Sequence, residues 1–567
     1  MYRNLWSLAI ACLLLSACSL RDEQKAAATP EVDANGAAPA ASALRSKEVD
    51  NRRLSLTSTQ DQAFAPPACC YSRPTPEERE NYAHLAGNPV HLASEQPVST
   101  FSIDVDTGSY ANIRRFLNGG ALPPEDAVRV EEMINYFGYD YPVPANREQP
   151  FSVTTTLAPA PWNPDRVLLQ VGLKGYEVPA ERRAPANLVF LIDVSGSMQD
   201  PDKLPLLKSA FRLLAAQLKA TDRVALVVYA GAAGVVLEPT AGNQQAKIRA
   251  ALDQLEAGGS TNGAGGIRLA YDLARQARIP GGINRIVLAT DGDFNVGTTN
   301  FDALIDLVER EREGGVSLTT LGFGTGNYND NLLERLADAG NGNYAYIDTL
   351  NEGRKVLVDQ LSGTLQTIAK DVKIQVEFNP ALVAEYRLIG YENRLLRRED
   401  FNNDKVDAGD IGAGHTVTAL YELTLNDSPV RLIDPLRYGK SDRATEPASG
   451  RATEVAHVRL RYKAPDGGRS RLIEQPVRRA DLRSPAQLPA SRARDLQFAA
   501  AVAAFGQKLR GGEFLGSYSW SDIAGLAASA RGDDPDGYRG EFLGLVKLAG
   551  GLAPAADDGV EGPQVRR

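Results

Sequence analysis

Hydrophobic positions recur with different periods in successive parts of this chain, and the changes of period divide it. Folded sequence begins near Val98, where FSIDVDT predicts a short strand. Tyr110, Ile113 and Leu117 then share one helical face, and Ala127, Val130, Ile134 and Phe137 share another, with Pro123 and Pro124 between them. Strict alternation follows, Val153/Thr155/Leu157 in one run and Val167/Leu169/Val171/Leu173 in the next. Period two predicts strands with one face buried and the other wet. From Asn187 the strands become continuous apolar runs, LVFLIDV, RVALVVYA, RIVLATDG, SLTTLGFG and NYAYIDT. Amphipathic helices separate most of them, the first marked by Leu204, Leu207, Phe211, Leu214 and Leu218 and the last running through Leu357, Leu361 and Leu365. Apolar strands alternating with helices predict a mostly parallel sheet covered on both faces.

Alternation returns after about residue 370, in Val372/Ile374/Val376/Phe378, in Val417 to Leu425 and in Ala456/Val458/Leu460/Tyr462. Strand-type sequence thus lies on both sides of the α/β segment. The expected fold class is α/β, a Rossmann-like doubly wound domain inserted in an antiparallel β-sandwich. Helical segments precede it and follow it, the latter marked by Phe498, Val502, Phe505 and Leu509. The expected division is a signal peptide at 1–18, a disordered Ala/Pro-rich tether at 19–96, and an N-terminal helical segment with the first sandwich strands at 97–186. The α/β domain takes 187–369, the remaining sandwich strands 370–480, C-terminal helices 481–553 and a disordered tail 554–567.

Composition adds three things. The chain has 567 residues, more than one core holds, while 43% hydrophobic and 23% charged residues are ordinary for folded protein. Its net charge of −9 is dispersed, with no basic stripe, which excludes nucleic acid as an expected partner. Cys12, Cys18, Cys69 and Cys70 all lie before the folded sequence, so no disulfide framework, cysteine zinc site or buried catalytic thiol is expected in it.

The start of the chain is a targeting signal. Arg3 precedes an apolar run from Leu5 to Leu15, too short for a stable span, ending in Leu15-Ser16-Ala17-Cys18. That ending resembles the bacterial lipobox, which implies lipidation of Cys18 and anchoring by two or more acyl chains. Ser19, rather than Asp, in the next position implies the outer membrane. The following Ala, Pro, Ser and Thr cannot bury enough apolar area to order the segment. Roughly 75 residues of such chain typically span about 50 Å.

The candidate chemistry lies at the carboxyl ends of strands, where open α/β sheets bind ligands. Asp193, Ser195 and Ser197 follow the first apolar strand, Thr261 lies in a GGSTNG loop before a helix, and Asp291 follows RIVLAT. Three hydroxyls and two carboxylates suit a hard cation such as Mg, or another divalent ion such as Mn or Ca. Two formal negative charges leave room for a carboxylate offered by a protein partner. The pattern D-x-S-x-S, then Thr in GGSTN, then TDG resembles the metal-ion-dependent adhesion site of von Willebrand factor type A domains. The resemblance implies direct binding by the three hydroxyls, with the aspartates often acting through water. FSIDVDTGSYANIRRFLNGGALPPEDAVRVEEMINYF, and the region from about Asp371 to Leu548, resemble bacterial A-domain lipoproteins of the YfbK-like group.

Competing motifs are weaker. Asp106-Thr107-Gly108-Ser109 spells an aspartic-protease loop, but that chemistry needs two such loops sharing a proton, and a helical pattern follows directly. Asp291, Asp293, Asn295 and Asp302 echo a calcium loop, yet Val296 stands where its turn needs Gly. There is no complete G-x-x-x-x-G-K-[ST] phosphate loop and no G-x-S-x-G elbow. The expected function is therefore metal-dependent protein binding or adhesion by a lipid-anchored envelope protein that is not an enzyme, with no small-molecule substrate evident. The alternatives are an intramolecular metal latch and a hydrolase.

Overall fold

The computed structural model describes residues 80–145, 148–261, 263–292, 301–434 and 452–554. The signal peptide with Cys18, most of the tether, Cys69, Cys70 and the C-terminal tail lie outside the described residues.

In chain order the first part comprises β1 (His91–Leu92), β2 (Val98–Ser102), α1 (Gly108–Asn118), α2 (Val130–Asn135), β3 (Phe151–Ala160) and β4 (Asn163–Gly175). The middle opens with β5 (Ala186–Asp193), α3 (Leu204–Ala215), β6 (Arg223–Tyr229), β7 (Ala233–Ala241), α4 (Gln245–Asp253) and α5 (Gly263–Gln276). It continues through β8 (Ile283–Thr290), α6 (Phe301–Glu313), β9 (Ser317–Phe323), α7 (Asp330–Ala339), β10 (Tyr344–Ile347), α8 (Leu350–Arg354) and α9 (Leu361–Leu365). The last part holds β11 (Thr367–Phe378), β12 (Val383–Ile389), β13 (Ile411–Gly412), β14 (Thr416–Leu425), β15 (Glu454–Ala464) and β16 (Gly467–Arg478). The helices α10 (Ala490–Leu509), α11 (Trp520–Ser529) and α12 (Tyr538–Leu552) close it.

The central sheet has the order β10-β9-β8-β5-β6-β7, parallel except for β7. Its parallel strands are buried on both faces, which is why they read as continuous apolar runs, while the antiparallel edge strand β7 is largely half-buried or exposed. Leu188, Phe190 and Ile192 of β5 pack with the α3 residues Leu207, Phe211 and Leu214 on one face. Val189 and Leu191 pack with Ile267 and Tyr271 of α5 on the other. Between α8 and α9 the chain makes a π-type turn, Lys355–Asp359, so the single helix expected through Leu357, Leu361 and Leu365 is broken.

Strands from before and after this domain do pair, as a sandwich interrupted by an insertion requires. β4 lies antiparallel to β14, Val171 opposite Ala419, in a sheet of order β1-β12-β14-β4-β3. β11, β13, β15 and β16 form the facing sheet, joined by β2 on β11. Val171, Leu173, Val376, Val417, Tyr421 and Leu460 share the core between the sheets.

Two further expectations need correction. The outer face of β4 is not wet: Leu168 and Gln170 are buried, and Leu168 and Leu420 join the core formed by α2, α10, α11 and α12. Alternation in sequence marks the face of higher hydrophobicity, but it cannot see a second layer supplied by other segments, such as Tyr141 against Gln170 and Gly172. The tether also ends earlier than expected. β1 pairs with β12, Asn88 donates to the carbonyls of Leu388 and Gly390, and Glu80 pairs with Arg115. Residues 80–96 therefore lie on the folded body, ordered by polar contacts that leave no hydrophobic period. Among the described residues no helix is long and apolar enough to cross a membrane.

Candidate metal centre

Strand order places this site. The chain leaves β5 to build β6 and β7 on one side, then returns to build β8 on the other. The carboxyl ends of β5 and β8 therefore flank a topological switch point, where diverging connections open a crevice. Asp193 is the last residue of β5, and Asp291 follows the last residue of β8, with Ile192 and Ala289 in register below them. Ser195 and Ser197 lie on the turn after β5.

Thr261 reaches the same edge because its loop is stapled to that turn. Gly258 N–H donates to Val194 O at 2.7 Å, and Gly196 N–H donates to Gly259 O at 3.1 Å. Gly259 has φ +85°, a backbone that a side chain would strain. Thr261 itself is half-buried. The structure thus brings all five expected residues, Asp193, Ser195, Ser197, Thr261 and Asp291, to one sheet edge.

Asp193 is fully buried and held by three donors. Its Oδ1 accepts from Ser195 N–H at 2.9 Å, and its Oδ2 accepts from Thr290 Oγ1 at 2.9 Å and from the Tyr229 hydroxyl at 3.2 Å. Burial pushes its carboxyl up to about 6, against the opposing pull of the Ser195 and Thr290 hydrogen bonds. The hydroxyls of Ser195 and Ser197 lie 3.1 Å apart. This is a rigid set of neutral and anionic oxygens, and the chemistry of that set fits a small divalent cation. Among the described residues there is no cluster of three or more His, Cys, Asp or Glu that could hold a metal, so this hydroxyl-rich set is a different kind of centre from a zinc site.

Asp291 is also fully buried, and its partners were not foreseen. Its Oδ2 accepts from Lys203 Nζ at 3.0 Å and from Asn327 Nδ2 at 3.2 Å. Lys203 precedes α3 by one residue, and Asn327 lies in the loop between β9 and α7. No spacing rule would have linked them to Asp291, since the contacts span 88 and 36 residues. Thr290 carried a faint signal, standing next to Asp291. Gly292 has φ +92°, and a Cβ there would lie 2.3 Å from Asn329 N, so the loop bearing Asn327 packs directly on the Asp291 turn. Glu80 accepts from Gly326 N–H at 3.0 Å, which puts the start of the described chain against that same loop.

The DTGS motif serves the fold. Asp106 accepts from Tyr344 N–H at 2.8 Å and pairs with Arg394 at 3.2 Å, while α1 begins at Gly108 beneath the Tyr344 ring. Asp302 lies in α6, whereas Asp293 and Asn295 of the calcium-loop echo fall outside the described residues.

Away from that sheet edge, buried arginines fasten the α/β domain to its flanks. Arg114 of α1 binds Asp348 and Glu352, Arg129 binds Asp330, and Arg394 binds Glu334 and Asp338.

The family model described as von Willebrand factor type A domain matches residues 187–360. A model described as von Willebrand factor matches residues 76–170, and one described as Uncharacterized protein YfbK, C-terminal, matches residues 363–552. The chain is similar to Uncharacterized protein YfbK of Escherichia coli (strain K12), 50% identical over 477 residues that cover 83% of this chain and 81% of that protein. It is similar to Inter-alpha-trypsin inhibitor heavy chain H3 of Pongo abelii, 26% identical over 270 residues, 43% of this chain and 29% of that protein. Among solved structures it resembles von Willebrand factor type A from Catenulispora acidiphila, with a TM-score of 0.38 and 17% identity over 70% of this chain and 89% of that one.

Proposed function

The chain belongs to the YfbK-like family of von Willebrand factor type A proteins, and from that premise we propose that it is a cell-envelope lipoprotein that captures a protein partner through a divalent cation. Asp193, Ser195, Ser197, Thr261 and Asp291 hold the ion, and a carboxylate from the partner completes its shell. Mg is the proposed native ion. Cys18 carries the lipid, in the outer membrane, and the module binds rather than catalyses.

One observation carries this reading: hydroxyl and carboxylate donors from three loops meet at the switch point of the sheet. Mg favours such all-oxygen shells and keeps exchangeable water, which an incoming carboxylate can replace. Asp193, held by three donors, is preorganised for that geometry. The metal-latch alternative has less support, because Arg114, Arg129 and Arg394 already secure the domain to its flanks without a metal.

The test is crosslinking capture from intact cells in the presence of Mg. Asp193→Ala and a chelator should each abolish capture while the β-sandwich stays folded. Capture that survives chelation would overturn the metal role, and a Cys18→Ser protein that stays in the membrane fraction would overturn the anchor.

A further inference from the structure

Lys203 combines features that an incidental surface lysine does not have. It is 4% exposed, and its stem lies across Gly324, where an added Cβ would come within 2.3 Å of Lys203 Cε. Its ammonium is thereby aimed at the metal edge, 3.0 Å from Asp291 Oδ2 and 3.3 Å from Asn327 Oδ1. A side chain this confined has given up its rotamer freedom, and its contacts with Asp291 and Asn327 offset that cost.

We propose that Lys203 is a built-in counter-cation of the metal centre, which sets both its cation affinity and the charge it presents to a partner. This rests on the metal-binding reading above. Without a metal, the ammonium holds Asp291 in place and neutralises it, so a buried carboxylate is never left alone. A divalent cation must then load against the nearby positive charge. Once loaded, the two aspartates cancel the ion, and among the described residues of the centre Lys203 adds one positive charge. Without Lys203 the loaded centre would be formally neutral, and a neutral carbonyl or water would complete it as well as an anion. Lys203 thus makes the centre selective for an anionic oxygen donor, a carboxylate on the partner, at the expense of metal affinity. A unit charge at this range in a partly buried site changes cation affinity by on the order of tenfold or more.

The test uses Mn²⁺ as the probe metal, its free concentration read by electron paramagnetic resonance. Lys203→Met keeps the stem and removes the charge. It should bind Mn²⁺ about tenfold more tightly than wild type. Acetate, titrated into the Mn²⁺-loaded protein and followed by water-proton relaxation, should bind it more weakly. Asn327→Asp supplies a second route that leaves the lysine in place, since the new carboxylate draws the ammonium away from Asp291; it too should tighten Mn²⁺. Unchanged or weaker Mn²⁺ binding in these variants, with wild type binding and Asp193→Ala not, would overturn the role of Lys203 alone. Failure of the wild-type protein to bind Mn²⁺ would sink the metal centre itself and the inference with it.

Discussion

Removing one buried arginine should uncouple the α/β domain from its helical flank. Arg114 is 2% exposed and lies where α1, α8 and α12 meet. Its guanidinium donates to Asp348 Oδ2 at 2.8 Å, Glu352 Oε2 at 2.8 Å, Glu541 Oε2 at 2.9 Å and the Tyr136 hydroxyl at 3.1 Å. The Glu541 side chain is 41% exposed, so it regains water when the partner goes and contributes little. Asp348 and Glu352 are 5% and 1% exposed and cannot. Arg114→Met therefore leaves two buried carboxylates without their cation, Glu352 keeping the Tyr136 hydroxyl, a loss of about 3–5 kcal/mol after one of them takes up a proton. That is a large part of the roughly 5–15 kcal/mol that keeps a domain folded. Urea unfolding can report it from two sides. Trp162 and Trp520 both pack against the helical core, so indole fluorescence follows the flank, while far-ultraviolet circular dichroism follows the whole chain. The variant should show a lower midpoint and two separated transitions where wild type shows one. The loss should persist in roughly 0.5 M salt, because buried pairs are poorly screened. A loss below about 1 kcal/mol, or transitions that stay superimposed, would refute the view that this ion pair fastens the domain.

The remaining predictions concern one turn and one titration. Gly292→Ala places a side chain at φ +92° and drives its Cβ into Asn329 N, so it should lower stability by about 2 kcal/mol or more, displace Asn327 and weaken Mn²⁺ binding in the same assay. Burial lowers the Lys355 ammonium to about 7 in the folded chain from its usual 10.5, with its Nζ donating to Tyr136 O. The folded state then binds fewer protons than the unfolded state between those values, so stability should rise with pH from about 7 to 10.5. Lys355→Met should flatten that slope in thermal melts across the range; an unaltered slope would assign it to other groups.

How much of the molecule could be read from its sequence depended on the range of the interactions involved. Apolar runs, helical faces and alternation are local. They were enough for the α/β class, for the strands on either side of it and for their closure into one sandwich, because a strand with a hydrophobic face must find a partner. The convergence of the five candidate oxygens on one edge follows the same logic: each sits just after a strand or before a helix, and a parallel sheet gathers those ends on one edge. Contacts between distant polar groups left no such trace. Glu80 against Gly326, Arg114 against Asp348 and Lys203 against Asp291 span 246, 234 and 88 residues, and none has a periodic pattern around it. The second buried face of β4 was hidden likewise, since it is covered by Tyr141, whose hydroxyl accepts from Gln170, and by the helical core that α10 joins more than three hundred residues later. Sequence alone determined which oxygens could meet a cation. Tertiary structure decided the charge of the place where they meet, because Lys203 is delivered there by the packing of its stem on Gly324, and a single buried charge outweighs any pattern in the surrounding residues.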